Sequence, residues 1–167
     1  MIKKLVKTLL ICLCLMCIST NNECFAVTAD EAKSAIVKSA MKMGVDPYIA
    51  LGIAKLESNF DQNKRGVHGT IGLFQLMPNT ARHMGVDPHT MEGNIKGGLG
   101  YYQQMYKKFG SVDLALAAYN AGPGNVAKYK GIPPFKETQA FISKIKRESD
   151  TFKNDPVVKN AIASVGI

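Results

Sequence analysis

The chain has 167 residues, 46% hydrophobic and 20% charged, with no tryptophan and a formal net charge of +8. That length supports one domain around a single core, and the sequence contains neither internal repeats nor a low-complexity linker. The basic excess suits an anionic polymer or surface as partner, but Lys and Arg are scattered rather than interleaved with aromatics, which sets nucleic acid aside.

Residues 1–26 are expected to be a cleavable signal peptide. Lys3, Lys4 and Lys7 form a positive start, Leu9 to Ile18 is an apolar run, and Cys24-Phe25-Ala26 offers small residues at the cut before Val27. The run is too short for the roughly 20 residues of a bilayer span, so no permanent membrane anchor is expected. All four cysteines (Cys12, Cys14, Cys17, Cys24) fall in this segment, so their even number implies no disulfide framework. Removing the segment takes three Lys and one Glu from the totals, leaving 18 basic against 12 acidic residues, a net +6. Export makes a bacterial wall the natural anionic partner, in the periplasm or outside the cell.

Thr28-Ala29-Asp30-Glu31 has capping-box spacing and opens a helix expected to run to about Met43, where Gly44 ends it. Asp46-Pro47 gives a second start, with Asp as N-cap and Pro at the first helical position. From Pro47 to Leu56 only Lys55 interrupts an apolar surface, so this helix is expected to be buried. It delivers Glu57 to its own C-terminal end. Burial and the negative end of the helix dipole both favour the protonated carboxyl, which prepares a general acid for work near neutral pH.

From Asn59 to Gly72 the periodicity is lost and a loop is expected, with at most a short hairpin. A short helix follows from Pro78 to Gly85. A long one runs from about Met91 to Phe109, and its Gly97, Gly98 and Gly100 suggest close approach of another helix or a ligand. Asp113 is expected to cap the alanine-rich helix Leu114 to Ala121, which Gly122-Pro123-Gly124 closes. After a turn at Gly131 to Pro134, the last helix runs from about Glu137 to Arg147. The fold class is therefore mainly α, a compact helical domain over residues 27–148, with residues 149–167 a weakly ordered or docking tail.

Three blocks carry chemistry. Leu56-Glu57-Ser58-Asn59-Phe60 holds the candidate acid. Gly72 to Pro78 places Gln75, whose amide both donates and accepts, beside Met77, a soft apolar surface for a sugar ring. Ala117 to Gly124 supplies the Tyr119 phenol and Asn120. Each also has a plain structural use: Gln75 bridging loop backbone, Met77 in the core, Asn120 and Gly122 stopping a helix. His68, His83 and His89 have no ligand spacing, so neither a metal site nor a cofactor is expected.

Taken in order, the chain from Asp46 to Lys146 resembles the catalytic domain of soluble lytic transglycosylases, a family similar to goose-type lysozyme. The resemblance rests on six blocks: Asp46-Pro47, Glu57-Ser58-x-Phe60, Gly72-Leu73-x-Gln75-x-Met77-Pro78-x-Thr80-Ala81, Asn94-Ile95 with Gly97 and Tyr101, Ala118-Tyr119-Asn120-Ala121-Gly122-Pro123-Gly124, and Ile132-Pro133-Pro134-Phe135-x-Glu137-Thr138. It implies a lysozyme-like α+β fold with a substrate groove. It also implies Glu57 as the single catalytic acid/base, with Gln75, Met77, Tyr119, Asn120 and Glu137 lining the groove. The family often has Ser nine residues after its catalytic Glu. Here that position is Gly66, and the hydroxyl's role is expected to pass to Ser58 or a water. Phe74 stands where the family commonly has Met.

The implied reaction is cleavage of the β-1,4 bond between N-acetylmuramic acid and N-acetylglucosamine in peptidoglycan, leaving 1,6-anhydro ends. A hydrolytic muramidase and a non-catalytic wall-binding component are the alternatives. A small exported monomer without an anchoring module would suit local wall opening for a secretion, conjugation or pilus apparatus, or phage release.

Overall fold

The computed structural model describes residues 27–166; the expected signal peptide lies outside the described residues. Eight helices are present among them: α1 (Ala29–Met43), α2 (Pro47–Ser58), α3 (Pro78–Met84), α4 (Met91–Phe109), α5 (Val112–Ala121), α6 (Pro123–Tyr129), α7 (Lys136–Phe152) and α8 (Pro156–Ala163). The only β pairing among the described residues is two isolated antiparallel bridges, Arg65 with Ile71 and Ile71 with Leu76. No described helix is long and apolar enough to cross a membrane. The fold is mainly helical, as the sequence predicts.

The start signals act as expected. Thr28 and Glu31 form the reciprocal capping box of α1, and Gly44 ends it at φ 68°. Asp46 caps α2 by accepting from Tyr48 N and Ile49 N. This helix is the centre of the molecule. Ile49, Ala50, Leu51, Gly52, Ile53 and Ala54 are all buried, and α2 packs between α1 and α7. The crossing with α7 is tight: a Cβ on Gly52 would stand 2.9 Å from Ile145 Cγ2 and 3.1 Å from Ser149 Oγ.

The glycines of α4 do bring another segment close. A Cβ on Gly98 would press into the Phe74 ring, and one on Gly97 would lie 2.7 Å from Leu76 Cδ1. Phe74 is fully buried on this stripe. The approaching elements are therefore the loop that carries Gln75 and, at Gly100, the end of α3, where a Cβ would lie 2.6 Å from Met84 Cε.

Three expectations change. The cap of α5 is Ser111, which accepts from Leu114 N at 3.2 Å; Asp113 lies inside the first turn and pairs with Lys146 at 3.0 Å. Gly122-Pro123-Gly124 ends α5 and also begins α6, because Pro at the first position starts a helix as readily as it stops one. Residues 149–166 do not form a loose tail. Through Phe152 they continue α7, whose stripe Ile145, Ser149, Phe152 stays on the buried face. Asp155 then caps α8 and accepts from Lys33 Nζ of α1 at 3.0 Å, while Val158 and Ala161 enter the core.

Candidate active site

Glu57 occupies the last turn of the buried helix α2, half-buried. Its carboxyl is pushed up from the ordinary 4.5 to about 7, chiefly by burial. The Lys64 ammonium opposes that rise, and the negative charge of Glu137 adds to it. Lys64 Nζ also donates to the Glu57 main-chain carbonyl at 2.6 Å, one of the carbonyls at the helix end. Glu137, exposed in the first turn of α7, is thus close enough for its charge to be felt at the acid.

Beyond Glu57 the chain reverses through Asn59 and Phe60, both at positive φ (56° and 65°), and returns as the loop Gly72 to Leu76. Ile71 and Leu76 close its neck with two 3.0 Å main-chain bonds. Inside the loop, Leu73 and Phe74 have no strand or helix to satisfy them, and buried polar main chain requires partners. Side chains from four places provide these. Ser58 Oγ donates to Leu73 O at 2.9 Å, and Leu73 N donates to Gln62 Oε1 at 3.4 Å. Phe74 N donates to Asn94 Oδ1 at 2.8 Å, and the Tyr119 hydroxyl donates to Phe74 O at 2.9 Å. Asn94 is fully buried and also donates to Ile71 O and Pro88 O.

This network reassigns Ser58. It is 3% exposed, and its hydroxyl is committed to Ala54 O and Leu73 O. It holds the loop rather than facing a substrate. Gln62 and Asn94 are absent from the sequence-based site list. In the sequence Asn94 is marked only as part of the Asn94-Ile95 block, and Gln62, flanked by Asp61 and Asn63, carries no local signal.

Gln75, Met77, Tyr119 and Asn120 come together around a cavity of about 300 Å³, with Leu76 and Tyr101 completing its main walls. Gln75 sits at φ 45°, and the structural use considered for it, bridging loop backbone, is present. Its amide nitrogen donates to Gly72 O (2.9 Å) and Lys64 O (3.3 Å), and its oxygen accepts from the Thr70 hydroxyl at 2.7 Å. What the amide retains for a ligand is one acceptor lone pair. Met77 is 43% exposed at the rim. The Tyr119 phenol is held well above its ordinary range, first by burial, then by the Glu57 charge and Tyr101. It therefore stays protonated, with its ring 5.4 Å from that of Tyr101. Asn120 Oδ1 accepts from the buried Thr138 hydroxyl at 2.8 Å, joining α5 to α7. A larger cavity of about 790 Å³, between Met43, Asp46, Met84, Tyr102 and Tyr106, shares no residue with this one and holds none of the predicted site residues. No group of three or more potential metal ligands occurs among the described residues.

Comparison with known proteins gives a family match and a fold match. The model of the Transglycosylase SLT domain matches residues 34–142. The chain is 32% identical over 124 residues to the soluble lytic murein transglycosylase of Escherichia coli (strain K12), covering 58% of this chain but 19% of that protein. It is 31% identical over 99 residues to the transglycosylase of Enterobacteria phage PRD1, covering 57% of this chain and 37% of that one. Among solved structures, the 70 kDa soluble lytic transglycosylase of Escherichia coli superposes with a TM-score of 0.62 at 27% identity, over 73% of this chain and 25% of that one. A complex of the 70-kDa soluble lytic transglycosylase with bulgecin A gives 0.65 at 26% identity, over 74% and 25%. The chain therefore spans from about a fifth to under two fifths of the length of these proteins.

Proposed function

Because the chain belongs to the Transglycosylase SLT domain family, we propose that it is a peptidoglycan lytic transglycosylase with Glu57 as its single acid/base. The observation that carries this reading is a half-buried carboxyl raised to about 7 at the end of a buried helix, its charge felt at Tyr119 in the wall of a cavity that Glu57 does not itself line. A carboxyl raised to about 7 still carries its proton in a substantial fraction of molecules at neutral pH, and donating that proton generates the carboxylate that serves the second step.

In the proposed reaction, protonated Glu57 gives its proton to the oxygen linking N-acetylmuramic acid to N-acetylglucosamine, and the C1–O bond breaks. The Glu57 carboxylate then takes the proton of the muramic acid 6-hydroxyl while that oxygen bonds to C1. The result is a 1,6-anhydro end and a free 4-hydroxyl; Glu57 regains its proton and no water is consumed. Most glycosidases use two carboxylates, with substrate-assisted enzymes among the exceptions. Here the other carboxylate felt at Glu57 is Glu137, and it is exposed. Holding the attacking hydroxyl in the same sugar as the reacting carbon supplies the proximity that a second residue would otherwise provide.

Mass spectrometry of fragments released from purified peptidoglycan, by the wild-type protein and by Glu57→Gln, tests the reading. Anhydro ends that vanish in the variant are expected. Reducing ends carrying one added water would make the site a muramidase, and equal release by both proteins would remove Glu57 from the mechanism. Export, with local wall opening for a secretion or conjugation apparatus, is the cellular setting we infer. Export is supported by the basic-then-apolar pattern of residues 1–26.

A further inference from the structure

We propose that Thr70 is a positioning residue of this site: its hydroxyl fills the space that a side chain at position 66 would occupy and from there fixes the Gln75 amide. The inference rests on the reading of the groove given above and concerns one departure of this chain from the family pattern. That pattern often places a serine nine residues after the catalytic glutamate, where this chain has Gly66. Ser58 cannot replace the missing hydroxyl, since its own is buried and bound to Ala54 O and Leu73 O.

The geometry at Gly66 points to Thr70 instead. Gly66 N donates to Thr70 O at 3.0 Å, so the two residues face each other across a tight turn. A Cβ built on Gly66 would collide with Thr70 Oγ1 and would lie 2.9 Å from Gln75 Oε1. One small volume, against one amide oxygen, can therefore hold either a side chain at 66 or the hydroxyl at 70. In this chain it holds the hydroxyl, which donates to Gln75 Oε1 at 2.7 Å.

That bond matters because of what else Gln75 does. Both amide hydrogens are engaged by Gly72 O and Lys64 O. The Thr70 hydroxyl completes a three-point hold that leaves one oxygen lone pair for a ligand hydroxyl or N–H. Without the hydroxyl, the amide oxygen loses a neutral donor and the side chain can swing about the other two contacts.

The test moves the hydroxyl rather than merely deleting it. Thr70→Val keeps the shape and removes the donor. Thr70→Ser keeps the donor. The pair Gly66→Ser with Thr70→Ala returns a hydroxyl to the same volume from the opposite side. Each is measured for release of anhydro ends, for calorimetric binding of a soluble β-1,4-linked N-acetylglucosamine tetramer, and for urea stability. Losing one neutral hydrogen bond predicts a fall of about 2- to 10-fold in rate and binding for Thr70→Val. Thr70→Ser is expected to match wild type, and the double variant to exceed Thr70→Ala alone. A merely structural threonine would not be rescued by a hydroxyl placed at residue 66. Wild-type rate and binding in Thr70→Val, or a double variant no better than Thr70→Ala, would overturn the proposal. Wild-type protein that binds the tetramer without releasing anhydro ends would defeat the reaction assigned above, and the binding series would still decide the role of Thr70.

Discussion

Replacing Glu57 by Gln is expected to stabilise the protein, and to do so only above acidic pH. In the folded state the carboxyl is raised to about 7 from an ordinary 4.5. It therefore holds its proton more tightly when folded than when unfolded. Between those two values the folded state binds more protons, so stability falls as pH rises. Below pH 4.5 the carboxyl is protonated in both states and costs nothing; above pH 7 the whole cost is present. At 1.36 kcal/mol for each pH unit of that gap, the cost is about 3 kcal/mol. That is a large fraction of the roughly 5–15 kcal/mol that keeps a domain folded. Glutamine has nearly the same shape and does not titrate. It also forfeits no hydrogen bond, since none is made to the carboxyl among the described residues. Urea unfolding of both proteins at pH 4.5 and pH 8 is the assay. The variant should match wild type at the lower pH and exceed it by about 3 kcal/mol at the higher. A difference that is absent at pH 8, or the same at both pH values, would refute the argument that burial prepares this acid.

Further predictions concern the groups around it. Activity should fall as pH rises past about 7, where Glu57 loses the proton it must donate. Lys64→Met should move that limb to higher pH and Glu137→Gln to lower pH, because the first removes a charge that favours ionisation and the second one that opposes it. Limbs that shift the other way in pH–rate profiles would show that these charges are not felt at the acid. Asn94→Ala leaves the buried Phe74 N–H without its partner and removes one of two bonds from Ile71 O; about 2–4 kcal/mol should be lost in urea unfolding. Gly98→Ala should destabilise by about 1–3 kcal/mol because the added methyl enters the Phe74 ring. Helix propensity alone gives the opposite sign, so a stabilised Gly98→Ala protein would disprove the close contact.

Signals within four residues of one another were legible in the sequence. The capping box at Thr28 and the Asp46-Pro47 start lie close in the chain and act through local bonds. The run that buries α2 fixed where Glu57 would stand. Signals whose partners lie far off were not legible. Ser58 meets Leu73 fifteen residues on, and Tyr119 reaches back forty-five to Phe74. No window of the sequence says that these hydroxyls are spent on main chain. The misjudged C-terminal segment is a different case. Asp155-Pro156 repeats the Asp46-Pro47 signal, but polar Glu148 and Asp150 break the pattern ahead of it. Only the packed structure shows that Ser149 faces inward, donating to Ile145 O and Tyr48 O.

The same accounting of hydrogen bonds sets the polarity of the groove. The Tyr119 hydroxyl spends its single proton on Phe74 O, which leaves its oxygen able only to accept. Gln75 spends both amide hydrogens on the loop, so it too can only accept. Asn120 differs, since its amide hydrogens have no partner among the described residues while its oxygen, accepting from Thr138, keeps one lone pair. A ligand that fits must bring donors to Gln75 and Tyr119, whereas Asn120 can meet an acceptor or a donor. Sugar hydroxyls with an N-acetyl carbonyl meet that demand; a chain of carboxylates or phosphates, acceptors throughout, does not. On the proposed function, the groove's preference follows from the bonds that hold its loop in place. Loosening the loop should cost selectivity among glycans as well as stability.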